Sequence, residues 1–190
     1  MIDTINILSS TALSDVVSTA DCKAHLRVLH SDEDALIGAY RDAACEYVQN
    51  YCGVRLTNTS AQLKTSRTGG IVELPIAPLK GITHVKYKAS SSDTLTTFDA
   101  SNYTFELSRV PAVVKFNSSM AVHPYHVHPV EITVNCGYAS GAVPAPILQA
   151  IKFLVGHFYE NRESSMERKL HNVPFGVHAL LNPYRIISFL

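Results

Sequence analysis

The stretch HPYHVHP at residues 123–129 sets three imidazoles, His123, His126 and His128, within six positions. Histidine is the commonest side-chain ligand of transition metals, and zinc needs three or four ligands converging at about 2 Å from the ion. The spacing argues against such convergence. His126 and His128, two apart, would share one face of a strand, whereas His123 lies beyond Pro124, which interrupts strand geometry. The stretch holds no Asp, Glu or Cys, and the nearest acid, Glu131, falls on the opposite face of a regular strand. We therefore read a histidine-rich loop entering a strand, assign no metal ligands and expect no cofactor.

Other reactive patterns are weaker. The chain has no glycine-rich phosphate loop, no Gly-x-Ser-x-Gly elbow and no His-Glu-x-x-His. GGIVELP, residues 69–75, reads as a turn and a strand rather than a nucleotide loop. Serine, histidine and carboxylate residues are plentiful, but nothing orders them into a triad. His157 sits at helical spacing among apolar residues and reads as a packing histidine. YENRE at 159–163 gathers Glu160, Arg162 and Glu163 near a helix end. An ion pair or cap is one reading; a subunit contact, with Arg162 and Glu163 as partner-binding residues, is the other. No catalytic residue is assigned.

The elements that hold these residues follow from the periodicity. Ser18, with Asp21 three positions on, approximates a capping box for a helix through ADCKAHLRV. A second helix, 31–53, is expected to start at Ser31, with Asp32, Glu33 and Asp34 complementing the positive end of the helix dipole. Leu36, Ile37, Tyr40, Ala44, Tyr47, Val48 and Tyr51 give it one apolar face, and Gly53 a left-handed stop. From Val54 the pattern becomes short, β-branched or aromatic runs bounded by Gly, Pro, Asn and Ser, which predicts six or seven strands. Helical spacing returns after Pro144 and Pro146, with Ile147, Ala150, Ile151, Leu154, Val155 and Phe158 as the apolar stripe. A short helix in PFGVHALLNPY precedes the tail RIISFL.

This order predicts an α+β fold: a discontinuous α-helical bundle domain from the two ends of the chain, with an inserted small antiparallel β-sheet or sandwich domain. The expected bounds are an extended N-terminal arm at 1–17, a helical domain at 18–53 plus 142–185, a β domain at 54–141 and a tail at 186–190. The two apolar helix faces should share one core.

The chain is 190 residues long, 46% hydrophobic and 17% charged, an ordinary globular balance. Lys plus Arg equals Asp plus Glu, 16 against 16, so it lacks the basic excess of a protein that grips duplex DNA through phosphates. No apolar run approaches the roughly 18 residues of a membrane span. No basic region precedes the first apolar residues, so a secretory signal is not expected. Cys22, Cys45, Cys52 and Cys136 form no Cys-x-x-Cys pair and read as reduced thiols of a cytosolic protein.

Two stretches carry a resemblance to phage head–tail connector proteins. DCKAHLRVLHSDEDALIGAYRDAACEYVQNYCG is similar to that family's opening, where an AKxHLRV helix is followed by DEDxLI and a helix ending EYVExYTG. VPAPILQAIKFLVGHFYENRE and VPFGVHALLNPYR resemble its VPxxIxxAILLLVGHWYENRE and LPxGVxALLxPYR, and VELPIAPLKGITHVKY resembles its IxLPxxPLxSVxxVxY strand pair. The likeness spans about residues 20–185. The chain departs from the pattern at Leu29-His30, at Cys52, where the family has Thr, and at HPYHVHP, where it has WP with basic residues.

The resemblance implies a non-enzymatic virion protein of the neck, assembled in the host cytoplasm. It would form a ring with itself, generally dodecameric, between the portal and the next tail or neck component. Viral DNA would pass through the channel without specific binding, and no membrane is involved. The apolar tail either folds back onto its own core or docks on a partner, and the resemblance favours docking. Arg185, Ile186, Ile187, Phe189 and Leu190 become candidate partner-binding residues, adding a strand to the portal or to a neighbouring subunit. Two other readings stay open: another neck or tail-completion virion protein, and a metal-dependent enzyme using His123, His126 and His128.

Overall fold

A computed structural model describes residues 2–92, 94–162 and 175–186. Its contacts divide the chain into two compact units. One is a β unit of residues 2–10 and 58–137 with Ile186; the other is a helical unit of residues 11–57, 138–162 and 175–185.

The β unit contains eight strands: β1 (Thr4–Ser10), β2 (Thr59–Thr65), β3 (Gly70–Leu74), β4 (Leu79–Tyr87), β5 (Thr96–Phe98), β6 (Tyr103–Glu106), β7 (Ala112–Phe116) and β8 (Val130–Cys136). They form a five-stranded sheet, β1-β2-β8-β4-β5, and a three-stranded sheet, β3-β7-β6. All their pairings are antiparallel. The inner faces share one core, with Leu63, Ile132 and Val85 from the larger sheet and Leu74, Val114 and Phe116 from the smaller. β2 alternates strictly between buried and half-buried residues, as a half-covered strand must. β8 is central and buried on both faces, so its polar residues need partners. Glu131 has them: Gln62 Nε2 donates at 2.8 Å and Lys64 Nζ lies at 3.3 Å, both from the adjoining β2.

The expected arm at 1–17 is not free. Thr4–Ser10 is β1, paired along β2 from Thr4↔Lys64 to Ser10↔Thr59 with an irregularity between Ile7 and Ser9. Its alternation of Ile and Asn was too short to separate from arm composition; the register against a long neighbouring strand decides it.

In the helical unit, α1 spans Thr19–Leu26. Ser18 Oγ accepts from the Asp21 N–H at 3.0 Å, and the Asp21 carboxylate accepts from the Ser18 N–H at 3.3 Å, which completes the capping box. The helix stops at Leu26, before the sequence pattern ends, because Arg27 takes a left-handed conformation with φ 59°. α2 (Asp34–Cys52) begins later than Ser31: its N-cap is Glu33, whose side chain makes no capping bond. The Asp34 N–H donates instead to the Ser31 carbonyl at 3.2 Å, a turn that leads into the helix. Gly53, at φ 72°, supplies the left-handed stop.

α3 (Ala145–Glu160) follows Pro144, and α4 (Phe175–Leu181) leads into a 3-10 turn at Asn182–Tyr184. α2 packs on α3 and α3 on α4. Ile37, Ala44 and Val48 of α2 are fully buried, as are Ile147, Ile151, Leu154 and Val155 of α3. At the rim, the rings of Tyr40 and Phe158 lie 6.3 Å apart. All four cysteines are buried free thiols. Among the described residues, no helix is long and apolar enough to cross a membrane.

Candidate docking site

Arg185 and Ile186 close the described part of the C-terminus, and the geometry around them is specific. Leu181 ends α4, and the turn that follows bonds the Arg185 N–H to the Asn182 carbonyl at 3.2 Å. Tyr51, in the last turn of α2, organises this root. Its hydroxyl donates to Asn182 Oδ1 at 2.8 Å. The Arg185 guanidinium carbon lies 5.3 Å from the centre of its ring, within cation–π range. His178 of α4 meets the same ring edge-on at 4.9 Å, and Tyr47, one turn earlier, stacks beside it at 6.0 Å. Beneath them the Cys52 thiol points at the Leu181 carbonyl at 3.8 Å. Burial pushes that thiol up to about 11, and Cys45 up to about 12, so neither is a thiolate near neutrality.

One tyrosine thus holds Asn182 through a hydrogen bond and Arg185 through a ring face. Ile187, Phe189 and Leu190 lie outside the described residues. Tyr47 and Tyr51 were legible only as part of an apolar stripe. Their i, i+4 spacing was a signal that they stack, but Asn182, 131 positions away, was not foreseeable from the pattern.

Arg162 is engaged within its own subunit. Its Nη2 donates to Glu33 Oε1 at 2.7 Å, and its Nε to the Tyr159 carbonyl at 3.3 Å. Its guanidinium stacks 4.6 Å from the Tyr159 ring, and the Tyr159 hydroxyl donates to the other Glu33 oxygen. Those bonds, the tyrosine's first, hold the Glu33 carboxyl below its ordinary range, and the bond to Glu33 raises the Tyr159 hydroxyl. The cluster ties the end of α3 to the start of α2. Arg162 remains half-exposed, so a partner would meet it as part of this cluster. Glu163 lies outside the described residues. His157, half-buried in the last turn of α3, accepts through its carbonyl from Asn161 Nδ2 at 2.9 Å.

The three histidines of residues 123–129 are each bonded elsewhere. His123 Nδ1 accepts from the Tyr125 N–H at 3.2 Å, closing a local turn. His126 Nε2 donates to the Ser90 carbonyl at 3.0 Å. His128 Nδ1 lies 3.1 Å from Asp3 Oδ2. Burial would raise the Asp3 carboxyl, but the Ser66 N–H at 2.7 Å and His128 outweigh it and lower the pKa. The loop is stapled to the 88–92 connection and to the residue before β1, while Tyr125 and Val127 stand exposed. Among the described residues, no group of three or more His, Cys, Asp or Glu is placed to hold a metal ion.

No curated protein matches this chain. Residues 18–107 match the family model of phage gp6-like head–tail connector proteins. Among solved structures, a chain in the virion of a native gene transfer agent particle is similar at TM-score 0.80 and 22% identity, over 98% of this chain and 97% of that one. A chain in the neck of an empty particle, computed with C6 symmetry, is similar at 0.80 and 23% over the same shares. One in the neck of a native particle, computed with C12 symmetry, is similar at 0.75 and 23%, again over 98% and 97%. The chain carries the fold of these neck chains and, over residues 18–107, the sequence pattern of the phage gp6-like head–tail connector proteins.

Proposed function

We propose that the protein is a structural subunit of the neck of a phage-like particle. Copies form a ring that joins the portal of the head to the next neck or tail component. The observation that carries this reading is one fold match over 98% of the chain to neck chains, coinciding with a connector-family match that begins at the capping-box serine, Ser18. The twelvefold symmetry of one such neck supports a ring of twelve. A cyclic ring needs two different, complementary faces on each subunit and no catalytic group. The balance of 16 basic and 16 acidic residues suits a collar through which DNA slides without being held. The tail that starts at Arg185, rooted on Tyr51, is the docking element, with the portal or an adjoining subunit as its target.

The test is genetic and structural. Particles assembled without the gene should contain portal-bearing, DNA-filled heads with no tails attached. Adding the protein back should restore a density ring between portal and tail in electron micrographs. Normally tailed particles without the protein, or its location anywhere other than the neck, would refute the reading.

A further inference from the structure

Strand β1 is held to its sheet unevenly. Its pairing with β2 runs from Thr4↔Lys64 to Ser10↔Thr59 and is irregular between Ile7 and Ser9. Ile5 pairs with Leu63 and Ile7 with Ala61, so both isoleucines lie on the core face of the sheet. They are nonetheless 37% and 43% exposed, whereas Leu63 and Ala61 are fully buried. All seven residues of β1 are exposed. The strand therefore buries little apolar surface, and a segment with few buried contacts opens at a free energy below that of the whole fold.

The tie that compensates lies one residue ahead of the strand, at Asp3. Its N–H donates to the Lys64 carbonyl at 2.8 Å. Its Oδ2 accepts from the Ser66 N–H at 2.7 Å and lies 3.1 Å from His128 Nδ1. One carboxylate thus joins three segments: the start of β1, the turn after β2 and the loop that leads into β8. The loop is itself fastened. The Pro129 carbonyl accepts from the Lys88 N–H at 2.9 Å, and the Lys88 carbonyl accepts from the His123 N–H at 3.1 Å. His126 Nε2 bonds the Ser90 carbonyl at 3.0 Å. His128 therefore offers its imidazole from a fixed base. The Asp3 and His128 side chains are 25% and 37% exposed, so water competes for their bond less than for that of a fully solvated pair.

We propose that β1 is a latch over the edge of β2, closed by the Asp3–His128 bond, and that it opens as a unit while the other four strands of its sheet stay paired. Opening bares the main-chain edge of β2 and the flanks of Ala61 and Leu63, a surface that the closed latch keeps from other strands. The histidine-rich loop then has a role that needs no metal, because it carries the catch.

Amide hydrogen exchange in the full-length chain tests this. In the wild type, residues 4–10 should exchange at least about tenfold faster than the slowest amides of β8. His128→Ala should speed exchange in residues 4–10 by about fivefold or more and leave β4 and β8 unchanged. His128→Gln keeps a donor for the carboxylate and should restore most of the protection. His123→Ala is the control: its ring bonds the Tyr125 N–H within the loop, so its loss should change nothing in β1. Asp3→Ala also frees the Ser66 N–H and should open β1 further, and adding His128→Ala to it should have no additional effect, because the bond is already gone. Exchange of β1 and β8 only together overturns the proposal. So does a His128→Ala chain whose residues 4–10 stay within about twofold of wild type, or effects of Asp3→Ala and His128→Ala that multiply.

Discussion

Replacing Leu154 by Ala tests the helical core most directly. Leu154 is fully buried on α3, in the same stripe as Ile147, Ile151 and Val155, on the helix that packs against α2. The substitution deletes three carbon atoms. At about 0.8 kcal/mol per buried methylene the transfer loss alone is roughly 2.4 kcal/mol. The cavity adds to it to the extent that the neighbours fail to collapse, which gives a total of about 2–5 kcal/mol. Ala150, one turn back on the same buried stripe, has little side chain to move into the space. The upper half of the range is therefore expected. For a chain of this size, about 2–4 °C of melting temperature is lost per kcal/mol, or about 7–20 °C here. Two units need not melt together, so amide exchange in α2 and α3 should be followed alongside calorimetry. Glu160→Ala, on the exposed end of the same helix, is the control and should stay within about 0.5 kcal/mol. If Leu154→Ala costs no more than the control, the packing of α3 described above is wrong.

Replacing His123, His126 and His128 together by Gln should leave neck assembly intact, and protein purified without a metal column should contain no stoichiometric zinc; tightly bound zinc lost on substitution contradicts this. Tyr51→Phe removes the bond to Asn182 but keeps the ring under Arg185, whereas Tyr51→Leu removes both, so occupancy in necks should fall further for Leu at unchanged fold. The raised Cys45 and Cys52 thiols should resist iodoacetamide at pH 8 until the protein unfolds. Their pKa values exceed the ordinary thiol value, so their contribution leaves stability unchanged below about pH 8.5 and lowers it as pH rises towards 11 to 12, where the unfolded chain ionises first. A melting temperature that does not fall between pH 9 and 11 relative to a Cys45→Ala, Cys52→Ala chain contradicts that burial.

The helices were legible because their signals are local. Ser18 and Asp21 make the capping box that their spacing announces, and Gly53 takes the left-handed stop. The six or seven strands expected after Val54 are seven, β2 to β8, because alternation and turn residues act over a few positions. The starts and stops that failed were settled by more distant groups. Ser31 does not cap α2, since the Asp34 N–H turns back to the Ser31 carbonyl and Glu33, the actual N-cap, spends its carboxylate on Tyr159 and Arg162. β1 could not be told from a polar arm until β2 stood beside it.

The same distinction separates what was readable around Tyr51, the proposed docking site, from what was not. The apolar run RIISFL is visible in six letters, whereas the contact that joins Tyr51 to Asn182 and Arg185 reaches across more than half the chain. A side chain that positions another part of the chain leaves no periodic trace, because its requirement is one hydroxyl and one ring face at one point in space. The histidines show the converse. Three imidazoles in six residues look like a site, yet each bonds a different partner: a local N–H, the Ser90 carbonyl and Asp3. Density of reactive residues in sequence therefore says less here than convergence in space, and the convergence lies at Tyr51, where the docking reading has its anchor.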